Sequence, residues 1–191
     1  MKIKIFKNYV RRYQCLRLLF FVIPSAEKRS KLLKKFNYFY EMGENVHFQP
    51  RILPADPKFI KIHHNVAIAS NVTFVTHDII HKVLNNISNS EIEFKSHLGC
   101  IEIMDNVFIG SGVTIMPNVR IGSNVIVAAG SVITKDIPDG VVVGGVPAKV
   151  IGTFADIVEK RRIESTLIAE TDRLMRVEPE WEKFRKQHGS K

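Results

Sequence analysis

The chain has 191 residues, 45% of them hydrophobic, with 28 Lys and Arg against 19 Asp and Glu and a formal charge of +9. That apolar fraction excludes a disordered polar chain and suits one or two folded domains. Two cysteines, Cys15 and Cys100, exclude a disulfide scaffold, and their positions match no metal-binding spacing.

The charge is segregated. Before residue 36, eleven cations stand against one anion, Glu27, so this arm carries +10, while the remaining 17 basic and 18 acidic residues give −1. Ile5, Phe6, Tyr9, Val10, Tyr13, Leu16, Leu19 and Phe20 fall near helical spacing, which predicts an amphipathic basic helix ending before Pro24 within an arm of residues 1–41. The apolar run Leu18 to Ile23 is too short to span a bilayer. Arg17 interrupts it, which argues against a cleaved signal peptide. Two uses of the arm compete: a cap on the body that follows, or peripheral membrane contact through residues 1–35, where a basic helix lies on an anionic surface. Nucleic-acid binding is not expected, because no recognition motif accompanies the charge.

From residue 42 a six-residue beat takes over. Met42 and Phe48, each followed four residues later by Val46 and Ile52, form a frayed beginning. Ile62, Ile68 and Phe74 continue it, with Val66, Val72 and Asp78 in the second position. The step from Phe74 to Ile103 is 29 residues and breaks the count, and the stretch is rich in Asn, Ser, His and charge. A loop over 79–100 is expected to leave the repeat there, the kind of segment on which binding residues concentrate. The beat then runs without a slip through Ile103, Ile109, Ile115, Ile121, Val127 and Ile133, with Val107, Val113, Val119, Val125, Ser131 and Ile137 four residues after each.

Six matches neither the helical period of 3.6 nor the strand period of two. It matches a coil that turns a corner after every short strand, the hexapeptide parallel β-helix. Three strands make a triangular coil of about eighteen residues, and only stacked coils bury their apolar faces. The fold class is therefore mainly β, a parallel β-helix over residues 42–152.

After Gly152 the beat stops. Phe154, Ile157, Val158, Leu167, Ile168, Leu174 and Met175 form a stripe between charges and predict a helical tail over 153–191, packed on the solenoid or on a neighbouring subunit. Pro179 is expected to break it, and Trp181 and Phe184 to anchor a last short helix. The two thiols are expected to be buried and free in a reducing cytoplasm.

The run Ile109-Gly110-Ser111-Gly112 through Ile133-Thr134-Lys135-Asp136-Ile137-Pro138, closed by Gly144-Gly145-Val146-Pro147-Ala148-Lys149-Val150-Ile151, resembles the hexapeptide-repeat acyltransferases. Within them it looks most like the maltose, galactoside and lipopolysaccharide O-acetyltransferases. The resemblance covers residues 42–152 and implies a left-handed β-helix, a homotrimer, a cytoplasmic enzyme, and acetyl transfer from acetyl-CoA to a hydroxyl of a sugar or surface polysaccharide precursor, with no metal; the basic arm adds peripheral contact with the inner membrane face as an option. An amino-sugar nitrogen is the alternative acceptor. A hexapeptide-repeat scaffold without activity is the non-enzymatic alternative.

His77, in Phe74-Val75-Thr76-His77-Asp78, stands where the repeat yields to the loop, and this resembles the place where the family keeps its catalytic histidine. The chemistry asks for such a group, because a hydroxyl attacks a thioester poorly until a base takes its proton. Among the other histidines, His63 and His64 lie in a corner and are expected to be solvated, His47 to face outward, His81 and His97 to line the loop, and His188 to sit in the tail. A three-histidine zinc site across neighbouring coils is not expected, since only His188 follows His97. Asp78 adjoins His77 as one orienting partner, a backbone carbonyl being the other. By resemblance Ser111 and Ala129 border the pantetheine and thioester, Thr134 and Lys135 lie towards the nucleotide end, and Lys149 is a second candidate for the phosphates. Lysine suits an anionic cofactor as a compact charge. The oxyanion donor is sought among the backbone N–H groups near Gly110 and Ser111 and the Ser111 hydroxyl.

Overall fold

The computed structural model describes residues 16, 18–20, 22–87, 92–166 and 172–189. Among the described residues thirteen short strands make three walls. Wall 1 contains β1 (Glu41–Met42), β3 (Ile60–Ile62), β6 (Ile101–Ile103) and β9 (Val119–Ile121). Wall 2 contains β2 (His47–Phe48), β4 (Val66–Ile68), β7 (Val107–Ile109), β10 (Val125–Val127) and β12 (Val141–Gly144), and wall 3 contains β5 (Thr73–Phe74), β8 (Thr114–Ile115) and β11 (Val132–Ile133). The pairs are parallel except the last, where β13 (Lys149–Thr153) returns antiparallel along β12. The chain winds a left-handed parallel β-helix.

The six-residue beat is the core. Ile103, Ile109, Ile115, Ile121, Val127 and Ile133 are all 0% exposed, and the second-position residues from Val107 to Ile137 are buried beside them. Each such aliphatic contributes about 1.5–3 kcal/mol on burial. Ser131 is tolerated there because its hydroxyl donates to the Ala128 carbonyl at 2.7 Å.

Corners demand left-handed backbone, which asparagine accepts more readily than most residues. Asn45, Asn65, Asn106 and Asn124 hold φ of 54°, 55°, 60° and 56° at the corner leading into wall 2. Their side chains form a ladder, each amide donating to the next carbonyl at 2.6, 2.8 and 3.0 Å. Wall 1 carries a second ladder on its outer face. Glu41, Lys61, Glu102 and Arg120 are register partners, so charges alternate up the wall. Lys61 meets Glu41 at 2.8 Å and Arg120 Nε meets Glu102 at 2.8 Å. His63, expected to be solvated, instead holds the other Glu102 oxygen at 2.9 Å.

The lower coils are less regular. Register partners Phe108 and Ile126 are eighteen residues apart, but His47 and Ala67 are twenty apart and Lys61 and Glu102 forty-one. The first excess is an excursion over residues 50–59. It overturns one expectation: Ile52 is 85% exposed and Leu53 is buried in its place. Tyr38 donates to the Pro54 carbonyl at 2.9 Å and Lys58 to the Phe39 carbonyl at 2.8 Å, which pin the excursion. Burial lowers the Lys58 pKa. The second excess is the expected loop, which also contains an eight-residue helix, α2 (Ile80–Ile87). Asn85 fastens it by a reciprocal pair with the Phe94 backbone, both bonds 2.9 Å.

The described part of the basic arm packs over the first coil. Residues 16, 18–20 and 22 are helical and α1 (Ala26–Lys35) follows Pro24. Leu16, Phe20 and Leu33 are buried in the solenoid's own core, with the Phe20 ring 6.0 Å from Phe48. Arg29 donates to the carbonyls of Ile23, Pro24 and Gln49, each at 2.8 Å, and lies 5.5 Å over Phe20. Leu18, Leu19 and Val22 stay exposed. Ile5, Phe6, Tyr9, Val10, Tyr13, Cys15 and Arg17 lie outside the described residues. Cys100, expected to be buried, is exposed.

Residues 155–191 form a second unit. The helix α3 (Phe154–Thr166) leads into it, and α4 (Val177–His188) contains Pro179 in its first turn. There proline's missing N–H has no intrahelical partner to lose, so it starts the helix rather than breaking it. Leu167 and Ile168 lie outside the described residues. Among the described residues no helix is long and apolar enough to cross a membrane.

Candidate active site

Wall 3 and its two edges hold the candidate residues. His77 follows β5 on the edge shared with wall 1, and its backbone is bridged antiparallel to Leu98 across the loop. Thr76 accepts from Gly99 N–H at 2.8 Å and Asp78 donates to the His97 carbonyl at 3.3 Å. This clamp fixes the backbone on which the ring is carried.

The ring's partner is Asp56. His77 Nδ1 lies 2.5 Å from Asp56 Oδ2, and Thr76, which is buried, donates to the same oxygen at 3.1 Å. A carboxylate only accepts, so Nδ1 carries the proton of this bond; in the neutral ring that leaves the lone pair on Nε2. The imidazole is 38% exposed and the carboxylate 34%, so the dyad is partly sheltered yet open to a reactant. Asp78 is not the partner. Its carboxylate accepts from Ile80 N–H at 3.0 Å and caps α2, which turns it away from the core position that the beat assigned to it.

Asp56 was legible only indirectly. The step from Phe48 to Ile62 is fourteen residues, which breaks the beat just as the later loop does. The excursion it announces carries Ala55-Asp56-Pro57, in which Asp56 precedes a proline that opens a 3₁₀ turn at Pro57–Phe59.

Ser111 and Ala129 occupy the opposite edge of wall 3, at the corner with wall 2, one coil apart and both exposed. Gly130 N–H donates to the Ser111 carbonyl at 2.9 Å. Close stacking explains the neighbouring glycine: a Cβ on Gly110 would lie 2.5 Å from the Ala129 nitrogen. Gly110 N–H already donates to the Val127 carbonyl at 2.9 Å, so it is engaged within the solenoid. The closing segment continues this edge, with Val132 N–H donating to Gly145 and Ala148 N–H returning to Val132, and Lys149 opens β13. Thr134 and Lys135 follow β11 on the His77 edge, exposed. Through the register of Phe74, Ile115 and Ile133, Lys135 takes the place of Thr76 two coils on, about 10 Å along the axis. One chain therefore brings His77, Thr134 and Lys135 to one edge and Ser111, Ala129 and Lys149 to the other.

A bacterial transferase hexapeptide family model, with six repeats, matches residues 101–135. Galactoside O-acetyltransferase of Escherichia coli strain K12 is 36% identical over 152 residues, covering 69% of this chain and 71% of that protein. The chain belongs to the hexapeptide-repeat acyltransferases. Among solved members of that family, maltose O-acetyltransferase from Clostridium difficile 630 is 31% identical, with a TM-score of 0.56 over 75% of this chain and 85% of the other. A galactoside acetyltransferase in complex with coenzyme A is 33% identical, with a TM-score of 0.56 over 78% of this chain and 82% of the other.

Proposed function

We propose that His77, oriented by Asp56, is the general base of direct acetyl transfer. The protein is an acetyl-CoA-dependent O-acetyltransferase whose acceptor is a sugar hydroxyl. The Nε2 lone pair takes the hydroxyl proton as the oxygen bonds to the thioester carbon. The tetrahedral intermediate collapses by breaking the C–S bond, and the imidazolium returns its proton to the departing thiolate. Asp56 holds the ring through Nδ1–H and favours the imidazolium between the two transfers. Ser111 supplies the oxyanion donor. No covalent acyl-enzyme is needed. The observation that carries this reading is the 2.5 Å contact between His77 and Asp56.

Ser111 and Ala129 border the pantetheine, Thr134 and Lys135 lie towards the nucleotide, and Lys149 serves the phosphates. These residues lie on opposite edges of wall 3, so a slot lined by both is made where the edge of one copy meets the edge of another. The assembly is a homotrimer. Wall 2 supports this, for its outer face presents Ala67, Phe108 and Ile126, and Phe108 is exposed. Light scattering should give a trimer; a monomer that is fully active overturns the shared slot.

The enzyme works in the cytoplasm at the inner membrane face, on a polysaccharide precursor. The exposed Leu18, Leu19 and Val22 beside a +10 segment suit an anionic surface. Flotation with anionic vesicles should retain the protein at low salt and release it at high salt, and equal retention by neutral vesicles overturns this placement.

The deciding experiment is thiol release from acetyl-CoA with free sugars, oligosaccharides, sugar nucleotides, amino sugars and lipid-linked sugars, in wild type and His77→Ala. Sugar-dependent release that His77→Ala loses supports the mechanism. Undiminished release in His77→Ala removes it, release with amino sugars alone moves the acceptor to nitrogen, and absence of acetyl-CoA binding leaves a scaffold.

A further inference from the structure

The second unit carries an apolar ridge that stays exposed among the described residues. Leu174, Val177, Trp181, Phe184 and His188 follow one another at intervals of three, four, three and four, the a/d spacing of a coiled coil. Leu174 stands in the turn leading into α4, where Val177 N–H donates to its carbonyl. The first four are exposed hydrophobics, and α4 buries no residue. The ridge is continuous: Trp181 and Phe184 meet edge to face at 5.6 Å, and Phe184 stacks on His188 at 4.2 Å. A groove of about 670 Å³ runs beside it, lined by Arg173, Arg176, Val177, Glu180, Trp181 and Phe184, a hollow of the kind that a neighbouring helix's side chains fill. Pro179 falls at the f position, away from the seam.

The flanking charges select the partner. In this frame Arg173 and Glu180 are g positions and Glu178 and Arg185 are e positions. In a parallel in-register pair each g residue faces the e residue five places on in the other helix. Glu180 then meets the partner's Arg185 and joins opposite charges, and Arg173, in the turn before α4, carries the charge opposite to the partner's Glu178. Within one chain Glu178 and Arg185 already pair at 2.5 Å along the same ridge.

We propose that α4 packs against α4 of the other copies of this chain, parallel and in register in a three-stranded bundle, through Val177, Trp181, Phe184 and His188. Twelve residues are too few to hold an isolated helix, so the contact forms between chains already tethered in one oligomer. It therefore rests on the reading of the enzyme as a homotrimer, and the test separates the two.

In the full chain with Cys15→Ser and Cys100→Ser, single cysteines are placed by Val177→Cys on the seam and by Glu182→Cys outside it. Mild oxidation should give an interchain disulfide with Val177→Cys and not with Glu182→Cys, because a parallel seam sets residue 177 against itself. Adding Glu178→Arg and Glu180→Arg makes all four flanking positions basic and should abolish the crosslink. A chain with Arg173→Glu and Arg185→Glu makes them all acidic and should abolish it too, whereas co-expression of the two chains should restore it. Light scattering on each sample reports whether the oligomer persists. An intact oligomer without the Val177→Cys crosslink, or with equal crosslinking from Glu182→Cys, overturns the pairing alone. So does quenching of Trp181 by brominated lipid, which gives the ridge to a membrane. A monomer fails the trimer reading and takes the pairing with it.

Discussion

The upper coils, residues 101–133, repeat without error, while the lower coils, residues 41–78, are broken by two insertions. The upper register advances by eighteen residues per coil, and every beat residue is buried. The lower register advances by twenty and then forty-one, and each insertion delivers one half of the dyad. Asp56 comes from the first and His77 stands at the mouth of the second. A perfect repeat presents the same short strand at each level and offers backbone at its corners, where the proposed thioester slot lies. The proposed chemistry needs a side chain aimed at another, and the contact of His77 with Asp56 lies where the repeat is interrupted.

The largest effect should come from breaking the irregular half. His77→Ala should lower kcat about a hundred- to ten-thousandfold, the range that general bases contribute, with the unfolding midpoint held near wild type. Steady-state thiol release and thermal melts on one sample check both. In the regular half the signs reverse. Ile121→Ala removes a buried aliphatic on wall 1, away from the candidate site, and should cost about 2–5 kcal/mol of stability with turnover per folded molecule unchanged. Denaturant melts measure this, and loss of turnover without loss of stability contradicts the division of labour.

Asp56→Asn sharpens the comparison, because it keeps the shape of the first insertion but not its charge. A loss in kcat on the order of ten- to a hundredfold is expected, with KM for acetyl-CoA steady. A change confined to KM places Asp56 in binding rather than in positioning the base. The smallest effect belongs to the charge ladder of wall 1. Glu102 is held below the usual carboxylate range, first by the hydrogen bond from His63 and then by Arg120. A depressed carboxylate contributes stability that is present above its unfolded-state value and is lost as pH falls through the lower folded value. Acid melts should therefore show that loss in wild type and not in Glu102→Gln, a difference of about 1 kcal/mol. Identical acid profiles remove the ladder from the stability of wall 1.

What the sequence by itself determined is the solenoid. One aliphatic every six residues, with Asn and Gly at the corners, leaves no other arrangement that buries them all, because the signal is local and is repeated six times without a slip. The break at 79–100 was legible for the same reason, as a failure of a count, whereas His77 was singled out by resemblance to the family. The partner of His77 was not legible. Asp56 is twenty-one residues away, and which carboxylate reaches the ring depends on how the first insertion folds back over the coil below. Adjacency favoured Asp78, yet the start of a helix claimed that side chain. Only the tertiary structure decided between them, since a helix N-terminus and a buried threonine compete for carboxylates through contacts that no periodicity records.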